Sequence, residues 1–176
     1  MKAELAIIIP TLNEAGNIQA LYDELQQVLK DINFEIIFVD DDSIDQTREA
    51  IEALTETSSQ VRLIHRIGRR GLSSACLEGM NASESKYIMV MDADLQHDSS
   101  IIPKMLHQLK QEHCDLVIGS RFEPESEIEG LSKFRESSSR FVNRILKYFT
   151  KQSIADPLSG FFMLPRSVYN ETKYRI

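Results

Sequence analysis

Cysteine is scarce in this sequence: Cys76 and Cys114 are the two in 176 residues. Their spacing matches neither a zinc site nor a disulfide framework, so they read as small buried hydrophobes in a reducing compartment. No apolar run approaches the ~18 residues of a membrane span. The N-terminus carries one lysine and then a strand-length run, which is not the pattern of a signal peptide. An excess of basic residues is also missing: 20 Lys and Arg face 27 Asp and Glu, a formal charge of −7. That balance argues against a nucleic-acid partner. There is no G-x-x-x-x-G-K loop, no nucleophilic-serine motif and no H-E-x-x-H. A P-loop phosphate cradle, a serine hydrolase and a zinc protease are thereby excluded. His65, His97, His107 and His113 fall in no metal-ligand spacing, and His107 and His113 read as solvated. Internal repeats and low-complexity linkers are absent.

What is present is a chain 42% hydrophobic and 27% charged, an ordinary globular composition at a length suited to one domain. Apolar, β-branched runs predict strands at residues 5–9, 34–39, 61–64, 87–91 and 116–119, with a last short one at 161–164. Helical spacing falls between them, from Ile18 to Leu29, over 47–54, over 72–82 entered through Gly71, and over 101–109 with Pro103 in its first turn. Asn13 is placed to cap the first helix. Strands alternating with helices predict βαβ units, hence an α/β fold with a mostly parallel sheet. Ligands of such sheets bind at the strands' carboxyl ends. The polar clusters sit there: 10–14, 40–43, 92–96 and Ser120-Arg121.

The sharpest cluster is Met89-Val90-Met91-Asp92-Ala93-Asp94-Leu95-Gln96-His97. Residues two apart on a strand point the same way, so Asp92 and Asp94 can offer oxygens to one place. Hard oxygen donors suit a divalent cation and the diphosphate it bridges. Asp40, Asp41 and Asp42 repel one another unless each is separately engaged, by capping a helix, accepting from a base or sugar, or facing water. Arg66, Arg69, Arg70, Arg121 and Arg135 supply the positive side, and arginine grips phosphate in bidentate fashion. Acids for a metal with arginines for phosphate suggest a phosphorylated or nucleotide-bearing substrate.

After Arg121 the pattern changes. Residues 123–130 form an acidic, turn-rich loop long enough to close over a site. Residues 133–151 read as a basic amphipathic helix, with Lys133, Arg135, Arg140, Arg144, Lys147 and Lys151 beside Phe134, Phe141, Val142, Ile145, Tyr148 and Phe149. Such a helix either lies on an anionic lipid surface or packs on the domain with its charges in water.

Five motifs in chain order carry a resemblance: Ile7-Ile8-Ile9-Pro10-Thr11-Leu12-Asn13-Glu14, Val39-Asp40-Asp41-Asp42-Ser43, Arg70-Gly71-Leu72, Met91-Asp92-Ala93-Asp94-Leu95-Gln96-His97 and Gly119-Ser120-Arg121. With D-P-x-S-G-F-F downstream, they resemble family 2 inverting glycosyltransferases of the GT-A fold, and within them the polyprenol-phosphate (dolichyl-phosphate) mannose or glucose synthases. The match runs from about residue 5 to 166. The resemblance implies a Rossmann-like three-layer α/β/α sandwich, with a nucleotide-binding part over 1–121 and an acceptor- and membrane-facing part over 122–176 of a single domain. It implies that Pro10, Leu12 and Glu14 line the nucleotide pocket and that Val39 and Asp41 hold the base. Asp92, Ala93, Asp94 and Gln96 would bind the nucleotide-sugar diphosphate, with Asp92, Asp94 and Gln96 on Mg²⁺ or Mn²⁺. Arg121 and Arg135 would meet phosphate, and with Asp94 they are the catalytic candidates.

The implied partners are a nucleotide-sugar donor, of GDP-mannose or UDP-glucose type, and a polyprenyl-phosphate acceptor at the cytoplasmic face of a membrane. Whether a homo-oligomer forms is left open. Members of this type usually continue past the Phe161-Phe162 strand, so the chain is expected to be truncated at its C-terminus and to turn over poorly. Three other readings compete. A saccharide hydroxyl as acceptor would need a general base, for which Asp156 is the candidate. An inactive nucleotide-sugar-binding module is the second. A receiver domain, the third, wants an acid pair after the first strand, where Pro10-Thr11 stands instead.

Overall fold

The structure, a computed structural model, describes residues 2–111, 114–119 and 160–173. Six strands form one sheet: β1 (Leu5–Thr11), β2 (Phe34–Asp40), β3 (Val61–His65), β4 (Tyr87–Val90), β5 (Val117–Ile118) and β6 (Phe162–Pro165). Their order is β3-β2-β1-β4-β6-β5. β1 pairs in parallel with β2 and β4, and β2 with β3. β6 runs antiparallel between β4 and β5. The helices are α1 (Ile18–Val28), α2 (Thr47–Thr57), α3 (Leu72–Ala82), a 3₁₀ turn (Ser99–Ile101), α4 (Ile102–Gln111) and α5 (Arg166–Thr172).

The continuous apolar runs of β1, β2 and β4 follow from burial on both faces. Leu5, Ile7, Ile9, Phe34, Ile36, Phe38 and Met89 pack against Ile18, Leu21 and Leu25 of α1, Ile51 and Leu54 of α2, and Met105, Leu106 and Leu109 of α4. The alternate residues Ala6, Ile8, Ile37, Val39, Ile88 and Val90 pack against Ala75, Cys76 and Met80 of α3 and Tyr169 of α5. Two apolar layers on opposite faces of one sheet make the three-layer α/β/α sandwich. Gly79 lets α3 approach closely: a Cβ there would collide with Ile8 and lie 2.9 Å from Val39 Cγ2.

Asn13 does not cap α1. Its φ is +60°, its backbone N–H donates to Ser43 Oγ at 2.9 Å, and its Oδ1 accepts from Ile44 N at 3.0 Å. It ties the loop after β1 to the loop after β2, a long-range partner that local spacing does not reveal.

Candidate active site

Parallel pairing brings the carboxyl ends of β1, β2, β3 and β4 to one edge. At the end of β4 the ladder continues through Met91, whose N–H donates to Ile8 O at 3.1 Å. Asp92 is therefore the first residue past the sheet. The alternation of the strand persists in burial, with Met91 and Ala93 buried and Asp92 and Asp94 half-buried. The chain then turns. Leu95 has φ +58°, and Gln96 N donates to Asp94 Oδ1 at 3.1 Å, an Asx turn. Alternation carried over from the strand accounts for Asp92 and Asp94 sharing the half-buried side, and the turn accounts for Gln96 being exposed.

Asp92 is held from two sides. His97 Nε2 lies 3.3 Å from Asp92 Oδ2. The His97 ring stacks on Phe161, with centroids 4.7 Å apart and planes 8° from parallel. Gly160 backs the carboxylate so closely that a Cβ there would lie 2.6 Å from Asp92 Oδ2. Phe161 in turn lies over Gly119, where any Cβ would enter its ring.

At the end of β2 the three aspartates are engaged separately. Asp40, fully buried, accepts from Ser43 N at 3.1 Å, Ser43 Oγ at 2.5 Å and Thr11 Oγ1 at 3.3 Å. Asp41 accepts from Arg66 Nη1 through Oδ1 and from Gly71 N through Oδ2 at 2.6 Å. Asp42 accepts from Gly68 N at 3.2 Å and lies 3.4 Å from His65 Nε2. None of these caps α2, whose N-cap is Gln46; just ahead of it Asp45 Oδ1 accepts from Thr47 N at 3.0 Å. Hydrogen bonding to Thr47 is the main reason the Asp45 carboxyl titrates below its ordinary value.

Arg66 is the residue that the phosphate-gripping reading misplaces. It is 2% exposed and also donates to Ser74 Oγ at 2.5 Å, with Nε 3.2 Å from Glu78 Oε2. Arg69 makes a two-pronged pair with Glu78, both contacts 3.0 Å. These arginines organise the 66–71 loop around Asp41. The signal in the sequence was the acid triplet itself, which needs a counter-charge. Cys76, beneath the site, has its thiol pushed up, first by burial and then by Asp92.

Of the expected nucleotide-binding residues, Leu12 is exposed and Pro10, Glu14, Asp92 and Asp94 are half-buried at the edge, with Gln96 exposed. Glu14 is fixed by its N–H to Thr47 Oγ1 (2.7 Å) and its Oε2 to Asn17 Nδ2 (2.7 Å). Val39 and Ala93 have buried side chains in the two cores, so a ligand would meet only their backbone. Asp41 is nearly buried. Arg121, Arg135, Asp156, the 123–130 loop and the 133–151 helix lie outside the described residues.

Among the described residues no three His, Cys, Asp or Glu side chains gather as a metal cluster. The pair Asp92 and Asp94 with the Gln96 carboxamide is nonetheless a hard-oxygen set, suited to Mg²⁺ or Mn²⁺ with ligand oxygens completing the shell. The side-chain-free backbone at Gly160 leaves the Asp92 carboxylate room. The donor set fits. Two cavities, of about 520 and 470 Å³, lie at the opposite end of the sheet, lined in part by Lys2, Asn33, Arg62, Glu84 and Ser85 and by Lys86, Cys114 and Arg166. They are remote from this chemistry. The exposed large apolar residues among those described are Leu12, Ile44, Ile67 and Leu95. Each lies in the loop that follows the carboxyl end of one of β1 to β4.

The backbone course defines a GT-A fold. It superposes on a mannosyltransferase from Pyrobaculum calidifontis in complex with GDP-Man and Mn²⁺ with a TM-score of 0.64 and 19% identity, over 97% of this chain and 47% of that one. It superposes on a Mycobacterium tuberculosis glucosyl-3-phosphoglycerate synthase, in complex with Mn²⁺, UDP-Glc and phosphoglyceric acid, with a TM-score of 0.65 and 20% identity, over 94% and 57%. The glycosyl transferase family 2 profile matches residues 6–172, and the chain belongs to that family. A dolichol-phosphate mannosyltransferase of Pyrococcus furiosus is 37% identical over 168 residues, 94% of this chain and 47% of the relative. One from Saccharomyces cerevisiae is 35% identical over 172 residues, 94% of this chain and 62% of the relative. The chain thus spans about half to three-fifths of these curated relatives.

Proposed function

We propose that this chain carries the donor site of a glycosyltransferase that moves a hexose from a nucleotide sugar to a polyprenyl phosphate with inversion. The observation that carries the reading is that Asp92 and Asp94, after β4, and the Asp41–Arg66–Gly71 cluster, after β2, lie at the same carboxyl edge of one sheet, in a chain 37% identical to a dolichol-phosphate mannosyltransferase. Asp92, Asp94 and Gln96 would hold Mg²⁺ or Mn²⁺. When bound, the cation neutralises charge developing on the diphosphate leaving group. Asp41, set by Arg66 and Gly71, is the acceptor for base N–H groups, and Pro10, Leu12 and Glu14 form the wall beside it.

The acceptor's phosphate oxygen attacks the anomeric carbon from the face opposite the diphosphate. A carbon–oxygen bond to the acceptor forms as the bond to the nucleoside diphosphate breaks. A phosphate monoester has its second pKa at about 6, so the nucleophile is already ionised and needs positioning rather than a strong base. Arg121 and Arg135 are proposed for that positioning. The exposed apolar side chains in the loops at this edge, Leu12, Ile44, Ile67 and Leu95, support an acceptor arriving from a lipid interface. Peripheral attachment at a membrane surface is proposed with that acceptor; among the described residues no helix is long and apolar enough to cross a membrane.

The test is a thermal-shift panel of GDP, UDP, GDP-mannose and UDP-glucose with and without Mn²⁺, followed by product analysis with a polyprenyl phosphate and a saccharide acceptor. One nucleotide giving a Mn²⁺-dependent shift that is lost in Asp94→Ala, and sugar appearing on the lipid phosphate, is the expected result. Sugar appearing on a saccharide hydroxyl overturns the acceptor. A nucleotide shift with no transfer in either assay favours a binding module.

A further inference from the structure

We propose that His97 is the positioning residue for Asp92, with Phe161 as the platform that holds its ring; this rests on the cation reading above. His97 is the side chain by which the 94–98 loop returns to the interior. Leu95, Gln96 and Asp98 around it are exposed, whereas the His97 side chain is 2% exposed. A stacking partner for Phe161 would require only an aromatic ring. A nitrogen turned to Asp92 Oδ2 at 3.3 Å is what phenylalanine could not provide.

An ionised carboxylate only accepts hydrogen bonds, so the nitrogen that faces it carries the hydrogen. The Nε2–H tautomer is therefore the one that fits. That nitrogen is committed to donating, so His97 acts on a cation through Asp92 rather than as a ligand by that atom. Gly160 and Phe161 also gain a purpose from this arrangement. Gly160 leaves the carboxylate its place and Phe161 fixes the imidazole. Groups that orient a metal ligand in this way are worth about 10–100-fold in metal affinity.

The experiment is a Mn²⁺ titration by electron paramagnetic resonance on the wild type, His97→Phe, His97→Gln, His97→Asn and Asp94→Ala, with metal-free nucleotide affinity measured in parallel. Glutamine sets its amide nitrogen about where Nε2 stands, and asparagine falls short of it. His97→Phe is expected to weaken Mn²⁺ binding by about 10–100-fold while metal-free nucleotide affinity holds, and His97→Gln to recover most of the loss. Wild-type Mn²⁺ affinity in His97→Phe overturns the proposal. If that variant does not fold, the comparison of glutamine with asparagine decides, and equal Mn²⁺ affinity in those two overturns it. A wild type that binds no Mn²⁺, or an Asp94→Ala variant that binds it normally, overturns the cation reading itself.

Discussion

Asp41 and Arg66 lie 25 positions apart in the chain and pair in near-complete burial, their side chains 9% and 3% exposed. The pair joins the end of β2 to the loop that follows β3. Removing one member of a buried ion pair strands the other charge, at a cost of about 3–5 kcal/mol. Glu78 offsets part of that for Arg66, whereas Asp41 has Gly71 N as its other described donor. Arg66→Met should therefore destabilise by about 3 kcal/mol and Asp41→Asn by less. Urea unfolding of the two variants measures this, and a loss below about 1 kcal/mol in Arg66→Met would contradict it.

Gly160→Ala introduces a methyl group 2.6 Å from Asp92 Oδ2. The carboxylate has to move, because the intruding atom is attached to backbone. The expected outcome is Mn²⁺ affinity lowered about tenfold, the scale of a disturbed ligand orientation. Calorimetric titration reads it, and unchanged affinity would mean that Asp92 can swing without consequence.

Gly79→Ala sets two effects against each other. Alanine is favoured over glycine within a helix by about 1 kcal/mol. The added Cβ, however, meets Ile8 and Val39, both fully buried in central strands. Overpacking costs about 1–3 kcal/mol, so the variant should melt lower than wild type by a few degrees. A higher melting temperature would show that α3 can lift off the sheet at little expense.

Asp45 gives the β1–β2 loop pair a pH dependence. Its folded-state pKa is depressed below 3.8, chiefly by Thr47. A depressed carboxyl contributes stability that is present above its unfolded value and lost as pH falls through the folded value. The melting-temperature gap between wild type and Asp45→Asn should be present at pH 6 and shrink below about pH 4. A gap of constant size down to pH 2.5 would refute the assignment.

The strands were legible because burial on both faces leaves no choice but continuous apolar residues. β1, β2 and β4 fall within a residue or two of where the runs lie. The position of Asp92 and Asp94 at the carboxyl edge was legible for a related reason, since a strand of known direction sets where the residues after it emerge. Periodicity carries no record of strand order, so the antiparallel insertion of β6 between β4 and β5 was not. The inward placement of Arg66 and of His97 was missed on the same ground. Each is a polar side chain turned inward by a partner far along the chain or across a turn, Asp41 for one and Asp92 and Phe161 for the other. Asp40 to Asp42 are engaged elsewhere, and it is Asp45 that accepts from Thr47 N at the start of α2.

Placing β6 between β4 and β5 also sets a timetable for the nascent chain. β1 to β4 leave the ribosome well before residues 160–165 exist, and the Asp92–Asp94 loop emerges with neither the Gly160 backbone nor the Phe161 ring beside it. Pairing across so long a sequence separation is among the slower events of folding. The clamp around Asp92 therefore forms later than the parallel half of the sheet, which waits for β6 before the acidic edge is complete.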